Sequence, residues 1–231
     1  MKKECKEIFS ELETLADKEK RDFLPYFFKT GKGQYGEGDK FMGVVVPKIK
    51  LVAKDFQDAS LDTIQELLES PWHEMRSCAL FILCLQVQKG VSREIFDFYL
   101  SQTHHINNWD LVDASAPKIV GRYLLDKPRD VLYRLAESDL LWENRIGIIA
   151  THTFIKHGEL DDTYKLALKM MQHPHDLMHK AIGWMLREAG KVDDARLYEF
   201  IDLYRRKMPR TMLRYAIEKF DKPTRQKLMA K

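Results

Sequence analysis

Apolar residues recur along nearly the whole chain at a spacing close to 3.6, and no stretch alternates in the way a half-buried strand does. The pattern predicts helices of roughly 10 to 16 residues separated by short breaks of Pro, Gly, Asp or Asn. It also repeats. Second helices of successive hairpins are expected to begin near Trp72, Trp109, Trp142, Leu177 and Arg210, a step of about 35 residues. Their first helices are expected at Leu61 to Glu69, Arg93 to Ser101, Arg129 to Glu137, Asp161 to Gln172 and Asp194 to Arg206. Upstream, a charged amphipathic helix follows Met1-Lys2-Lys3, and another runs from Asp22 to Lys29. Pro47 then starts a helix with Lys48 and Lys50 in its first turn.

Repeats of this length resemble a solenoid of HEAT-like helical pairs, in which each pair buries its apolar face against its neighbours. The fold class expected is therefore all-α, an α-α superhelix of helical hairpins forming a single domain over residues 1–231. In such a solenoid the second helices line a common concave face. The longest apolar run, Cys78 to Leu85, is far too short to span a bilayer, so no membrane partner is expected.

Within this pattern the stretch Asn108-Trp109-Asp110-Leu111-Val112-Asp113 carries candidate chemistry. A helix capped by Asn107 or Asn108 sets Trp109, Asp113 and Pro117 at successive four-residue steps, so the Asp113 carboxylate lies between an indole and a proline ring. Those neighbours offer it no cation. Such a carboxylate is either a structural cap or a charge kept available for something outside the protein. Trp184 is the second informative aromatic. Its helix is expected to bury Met178, Ala181, Ile182, Met185 and Ala189, which leaves Trp184 off the stripe, with Lys180 one turn before it and Arg187 one turn after. An indole sharing a face with two cations suits stacking on a base or sugar. Trp72 and Trp142 read instead as packing residues between repeats.

Two further motifs lose their first appeal on inspection. Gly31 to Gly36 spells G-x-G-x-x-G, but a helical segment precedes it where the dinucleotide fingerprint requires a strand. Five of the eleven glycines fall between Gly31 and Gly43, which predicts a mobile loop able to approach a ligand closely. His173, His175 and His179 have metal-like spacing, yet the nearest acid, Asp176, points elsewhere and no cysteine is near. A surface turn around Pro174 is expected there, and no metal.

Charge is nearly balanced, with 38 Lys and Arg against 35 Asp and Glu, so what matters is where the excess lies. From Tyr204 to Lys231 ten basic residues stand against Glu218 and Asp221, and a basic end on a near-neutral protein suits a polyanion. Three cysteines without a CxxC pair predict reduced thiols in a cytoplasmic protein.

The segments Asn108 to Asp113, Trp142-Glu143-Asn144-Arg145 and Lys180-Ala181-Ile182-Gly183-Trp184-Met185-Leu186-Arg187-Glu188 together resemble the AlkD family of DNA alkylation repair glycosylases. Tyr35 to Gly43, followed by Pro47, resembles the family's N-terminal region, and the similarity runs from about Leu24 to Phe220. The resemblance implies a HEAT-like solenoid with a basic concave groove for duplex DNA. It also implies excision of purines alkylated at N3 or N7, such as 3-methyladenine and 7-methylguanine, without extrusion of the lesion into a deep pocket. By position it makes Asp113 the catalytic carboxylate, sets Trp109 and Trp184 against the damaged nucleotide and places Arg145 on the DNA backbone. Tyr35 matches a pocket tyrosine across a one-residue gap.

Lys48, Lys50, Lys180, Arg187, Arg210 and Arg214 are the candidates for phosphate contacts. On this reading the enzyme needs no cofactor and no obligate protein partner, is a monomer, and associates with the nucleoid when on DNA. Two other readings use the same fold: a paralogue that binds DNA structure without catalysis, and a protein-interaction scaffold. Asp113, both tryptophans and Arg145 occurring together favour the enzyme over the first. The basic end with Trp184 is unexplained by the second.

Overall fold

The computed structural model describes residues 2–230, and among them every regular element is a helix, as the 3.6 periodicity predicts. The chain divides into two compact units, Met1–Ile119 and Val120–Lys231.

The first unit contains α1 (Lys3–Thr14), α2 (Lys18–Phe27), α3 (Val46–Asp55), α4 (Leu61–Leu68), α5 (His73–Lys89), α6 (Arg93–Ser101) and α7 (Trp109–Ala116). The hairpins α4–α5 and α6–α7 begin where the breaks in the pattern predict. A 3-10 turn at Thr103–His105 leads into α7, and a π-helical turn at Pro117–Gly121 follows it. α2 starts earlier than Asp22 because the Asp17 carboxylate accepts the Lys20 N–H at 2.9 Å and caps it. It stops at Phe27, and Lys29 turns the chain away at φ 55°.

α5 is the centre of this unit. Every residue from His73 to Cys84 is buried, and the helix packs on α1, α3, α4 and α7. Its enclosure over His73 to Cys84 is what a helix apolar around its whole circumference requires. Its first turn is the exception, since His73, Glu74 and Arg76 are buried there with their charges.

The second unit contains α8 (Asp130–Ala136), α9 (Leu141–Ile149), α10 (Thr151–Lys156), α11 (Asp161–Lys169), α12 (Asp176–Gly190), α13 (Asp194–Tyr204), α14 (Arg210–Ala216) and α15 (Lys222–Met229). Here α12 is central and packs on α9, α10, α11, α13 and α14. The stripe Met178, Ala181, Ile182, Met185 and Ala189 is fully buried, as its spacing predicts. α10, one residue after the end of α9, is an element the repeat pattern does not reveal. No helix among the described residues is long and apolar enough to cross a membrane. Cys5, Cys78 and Cys84 are free and buried, and burial pushes the Cys78 and Cys84 thiols up to about 12.

Gly183 sets the approach of α12 to α14. A Cβ there would lie 2.6 Å from both the Met212 carbonyl oxygen and the Tyr215 Cβ. Alanine favours an open helix position by up to about 1 kcal/mol over glycine. At this contact the clash wins, and Gly183→Ala is expected to lower the unfolding free energy by about 1 to 3 kcal/mol. Urea unfolding checks this, and a gain in stability would show that the two helices are not pinned at Gly183.

Candidate functional site

The glycine-rich loop is fastened to the first turn of α5. Glu74, 1% exposed, accepts the backbone N–H groups of Met42 at 3.0 Å, Gly43 at 2.8 Å and Val44 at 3.2 Å. Gly43 makes this possible, because its φ is 93° and a Cβ would lie 2.1 Å from the Asp17 carbonyl oxygen. The Lys40 backbone bonds across to Pro71 and His73 at 3.1 and 2.9 Å. The loop predicted to be mobile is therefore hydrogen-bonded to α5 along its second half.

Beside these bonds lies a buried charge cluster. The Asp39 carboxylate meets Arg76 Nη2 at 2.7 Å, Asn107 Nδ2 at 2.8 Å and His73 Nδ1 at 3.1 Å. The other nitrogen of His73, Nε2, is 2.8 Å from Asp110 Oδ2. Burial opposes the charge on Asp39, but His73, Arg76 and Asn107 outweigh it and hold the carboxyl below the usual range. Burial likewise opposes an imidazolium, yet Asp110 and Asp39 together push His73 up to about 9. The sequence reading gave Asp39, His73, Glu74, Arg76 and Asp110 no role of their own. Their visible trace is His73-Glu74-x-Arg76, charged residues opening a helix whose middle, Cys78 to Leu85, is entirely apolar.

α7 grows out of this cluster. Asn108 is its cap, with Oδ1 accepting the Trp109 N–H at 2.9 Å, while Asn107 turns to Asp39. The Trp109 indole is half-buried, stacked on Phe28 at 5.5 Å and 24° and met edge-on by Phe27 at 5.9 Å and 67°. A cavity of about 370 Å³ opens beside it, walled by Leu24, Phe27, Phe28, Phe41 and Ile49, with His73 and Asp110 also on its lining. Asp113, half-buried, lies one turn beyond Trp109. Burial raises the Tyr99 phenol, with nearby Asp113 adding to it, against the lowering effect of its hydrogen bond to Ser115 at 2.8 Å. Tyr35 is half-buried in the loop, and its neighbour Gly36 backs onto the Phe28 carbonyl and Asn108. Lys48 and Lys50 are exposed on α3, with the Lys50 ammonium 5.3 Å from the Phe81 ring centre.

In the second unit Trp184 is half-buried, donating from Nε1 to Glu188 at 3.2 Å, with its ring 5.9 Å from that of His152. The cationic face predicted around it is matched by carboxylates. Lys180 pairs with Asp176 at 2.7 Å, and Arg187 pairs with Glu218 and lies 3.6 Å from Glu188. Glu218 follows α14, so the helix sequence of α12 alone does not announce it. Arg145 is 5% exposed and donates to the Leu177 carbonyl at 2.7 Å, tying α9 to the start of α12. This places it inside the unit rather than among the exposed basic residues. Arg210 donates from both Nη atoms to the Met229 carbonyl at 3.1 Å, and Arg214 is exposed.

The three histidines build the turn before α12. His173 Nδ1 accepts the His175 N–H at 3.1 Å, so its Nε2 donates to Asn144 Oδ1 at 3.1 Å. His175 Nδ1 accepts the Leu177 N–H at 3.1 Å, and His179 Nε2 donates to the His173 carbonyl at 2.6 Å. Among the described residues no group of three His, Cys, Asp or Glu is arranged to hold a metal ion.

Glu74 gives this frame a direct test. Its two carboxylate oxygens only accept, whereas a glutamine would turn an NH₂ toward backbone N–H donors. Glu74→Gln is expected to cost about 1 to 3 kcal/mol of stability, the penalty of buried donors left unpaired. Chemical denaturation measures it, and a variant as stable as wild type would show that the loop does not depend on this carboxylate.

The sequence matches the family model described as DNA alkylation repair enzyme over residues 8–220. A comparison with curated proteins finds no match. Among solved structures, a protein described as a predicted DNA alkylation repair enzyme from Enterococcus faecalis is similar, with a TM-score of 0.73 and 16% identity. The similarity covers 90% of this chain and 97% of that one, and at such low identity it establishes the shared fold. Since the family match takes in nearly the whole sequence, the chain belongs to the DNA alkylation repair enzyme family.

Proposed function

We propose that the protein is a DNA glycosylase that hydrolyses the N-glycosidic bond of cationic N3- and N7-alkylated purines in duplex DNA. The observation that carries this reading is Asp113 on α7, one turn from a tryptophan whose indole is braced by Phe27 and Phe28, in a chain of a DNA alkylation repair family. The chemistry explains why so few groups suffice. Glycoside cleavage ordinarily uses two carboxyl groups, one of them an acid that protonates the leaving oxygen. A purine alkylated at N3 or N7 is already cationic and departs without an acid. What remains is to stabilise the positive charge that develops on the sugar and to place a water, which one carboxylate does electrostatically. Aromatic faces add about 0.5 to 2 kcal/mol per contact to a cation.

Trp109 and Trp184 are assigned to the damaged nucleotide on this reading, and Tyr35 to the loop beside it. Exposed Lys48, Lys50 and Arg214 are assigned phosphate contacts. Lys180, Arg187 and Arg210 take the same role by exchanging a partner they already hold. The buried Arg145 supports the start of the helix that carries Trp184.

Wild-type protein is expected to release 3-methyladenine or 7-methylguanine from methylated duplex DNA, and Asp113→Asn to keep DNA affinity while losing about 10² to 10³ in release rate. Single-turnover base release with a parallel binding titration measures both. Release by Asp113→Asn at the wild-type rate would remove Asp113 from the chemistry.

A further inference from the structure

We propose that His73 is a positioning residue for the α7 site, bridging Asp39 of the glycine-rich loop to Asp110 of α7 and so fixing the first turn that carries Trp109 and leads to Asp113. The inference rests on the glycosylase reading for its catalytic consequence, but not for its geometry.

Each ring nitrogen of His73 faces a carboxylate oxygen, Asp39 Oδ2 at 3.1 Å and Asp110 Oδ2 at 2.8 Å. Carboxylate oxygens only accept, so both nitrogens must donate, and only the imidazolium does so. A neutral ring would turn a lone pair on one of the two carboxylates. The side chain is 4% exposed, which leaves water little room to substitute. Asp110 Oδ1 is buried with no hydrogen-bond partner among the described residues, so His73 is the donor that ties Asp110 down.

The hold reaches the site by two routes. Asp110 is the residue after Trp109 and lies on the same side of α7 as Asp113, three positions on. The His73 ring also packs on Phe28 at 4.9 Å, and Phe28 stacks on the Trp109 indole. The charged groups facing His73 are Asp110 from α7, Asp39 from the loop and Arg76 one turn along α5, and the two carboxylates outweigh the arginine. With the folded value raised to about 9 from 6.5, the hold is complete below about 6.5 and is lost as pH rises through about 9.

The test follows amide hydrogen exchange in α7, corrected for the intrinsic pH dependence, alongside 3-methyladenine release over pH 6 to 10. Wild-type protection at Trp109 to Asp113 is expected to fall through pH 9 while that of α12 stays level. Release is expected to fall over the same interval with DNA affinity unchanged. His73→Gln and the shape-conserving Asp110→Asn are expected to lack this transition and to release base on the order of 10- to 10²-fold more slowly at pH 7.5, the cost of a slightly misplaced catalytic group. The wild-type titration needs no variant and decides the matter if neither substitution folds. Wild-type α7 protection that stays level through pH 9 would overturn the proposal. So would a folded His73→Gln that keeps the wild-type transition, or exchange that rises equally throughout the first unit. A wild type that releases no alkylpurine defeats the glycosylase reading instead, while the exchange measurement still decides the role of His73.

Discussion

Charges are rarely buried without partners, because taking an ion out of water costs several kcal/mol that only well-placed opposite charges and hydrogen bonds offset. The first unit buries Asp39, His73, Glu74 and Arg76 around one helix start, and each has an assigned partner. The arrangement works only as a whole. Among Asp39, His73 and Arg76, removing one member leaves another charge stranded, a loss of about 3 to 5 kcal/mol for a buried pair. A purely apolar junction would tolerate sliding between loop and helix. This one specifies a single register, because Glu74 must meet three successive amides while His73 meets two carboxylates from different segments.

Much of the frame was legible in the sequence, for reasons that local physics explains. Second helices begin where Pro71, Asn108 and Pro209 interrupt the pattern, because capping residues and prolines act within a turn of themselves. The stripe on α12 could be read from spacing alone. The charge cluster was not legible, since Asp39, His73 and Asp110 come from three separate segments and nothing local to any of them requires the others. Asn107 and Asn108 show the boundary well. Either fits as a cap by sequence, and only the position of Asp39 decides that Asn108 caps while Asn107 ties the loop.

The same boundary explains what happened to the basic face around Trp184. Lys180 and Arg187 can be placed on one side of a helix from spacing. Asp176 shares that helix and was in view, but Glu218 comes from beyond α14. The Lys180–Asp176 pair is exposed, and surface ion pairs of this kind contribute little to stability, about 0 to 1 kcal/mol. The basic end from Tyr204 behaves similarly, with Arg205 and Arg210 donating to the carbonyls that end α15. A count of cations thus overstates the field such a surface presents.

α7 has eight residues, too few to be stable alone in water, so its direction is set by what it is tied to. At its start Asn108 caps the backbone and Asp110 is held by His73. Near its end the Ser115 hydroxyl donates to the Leu111 carbonyl at 2.6 Å, which leaves its oxygen to accept from Tyr99. Asp113 sits between these two anchors. A carboxylate that stabilises a developing cation gains most when it need not reorient during the reaction. On the proposed reading Asp113, the second acidic residue of α7 after Asp110, lies between the ties at the start and the end of the helix. Elongating α7 would not improve on this, because added turns supply propensity, whereas the buried ties on both sides supply position.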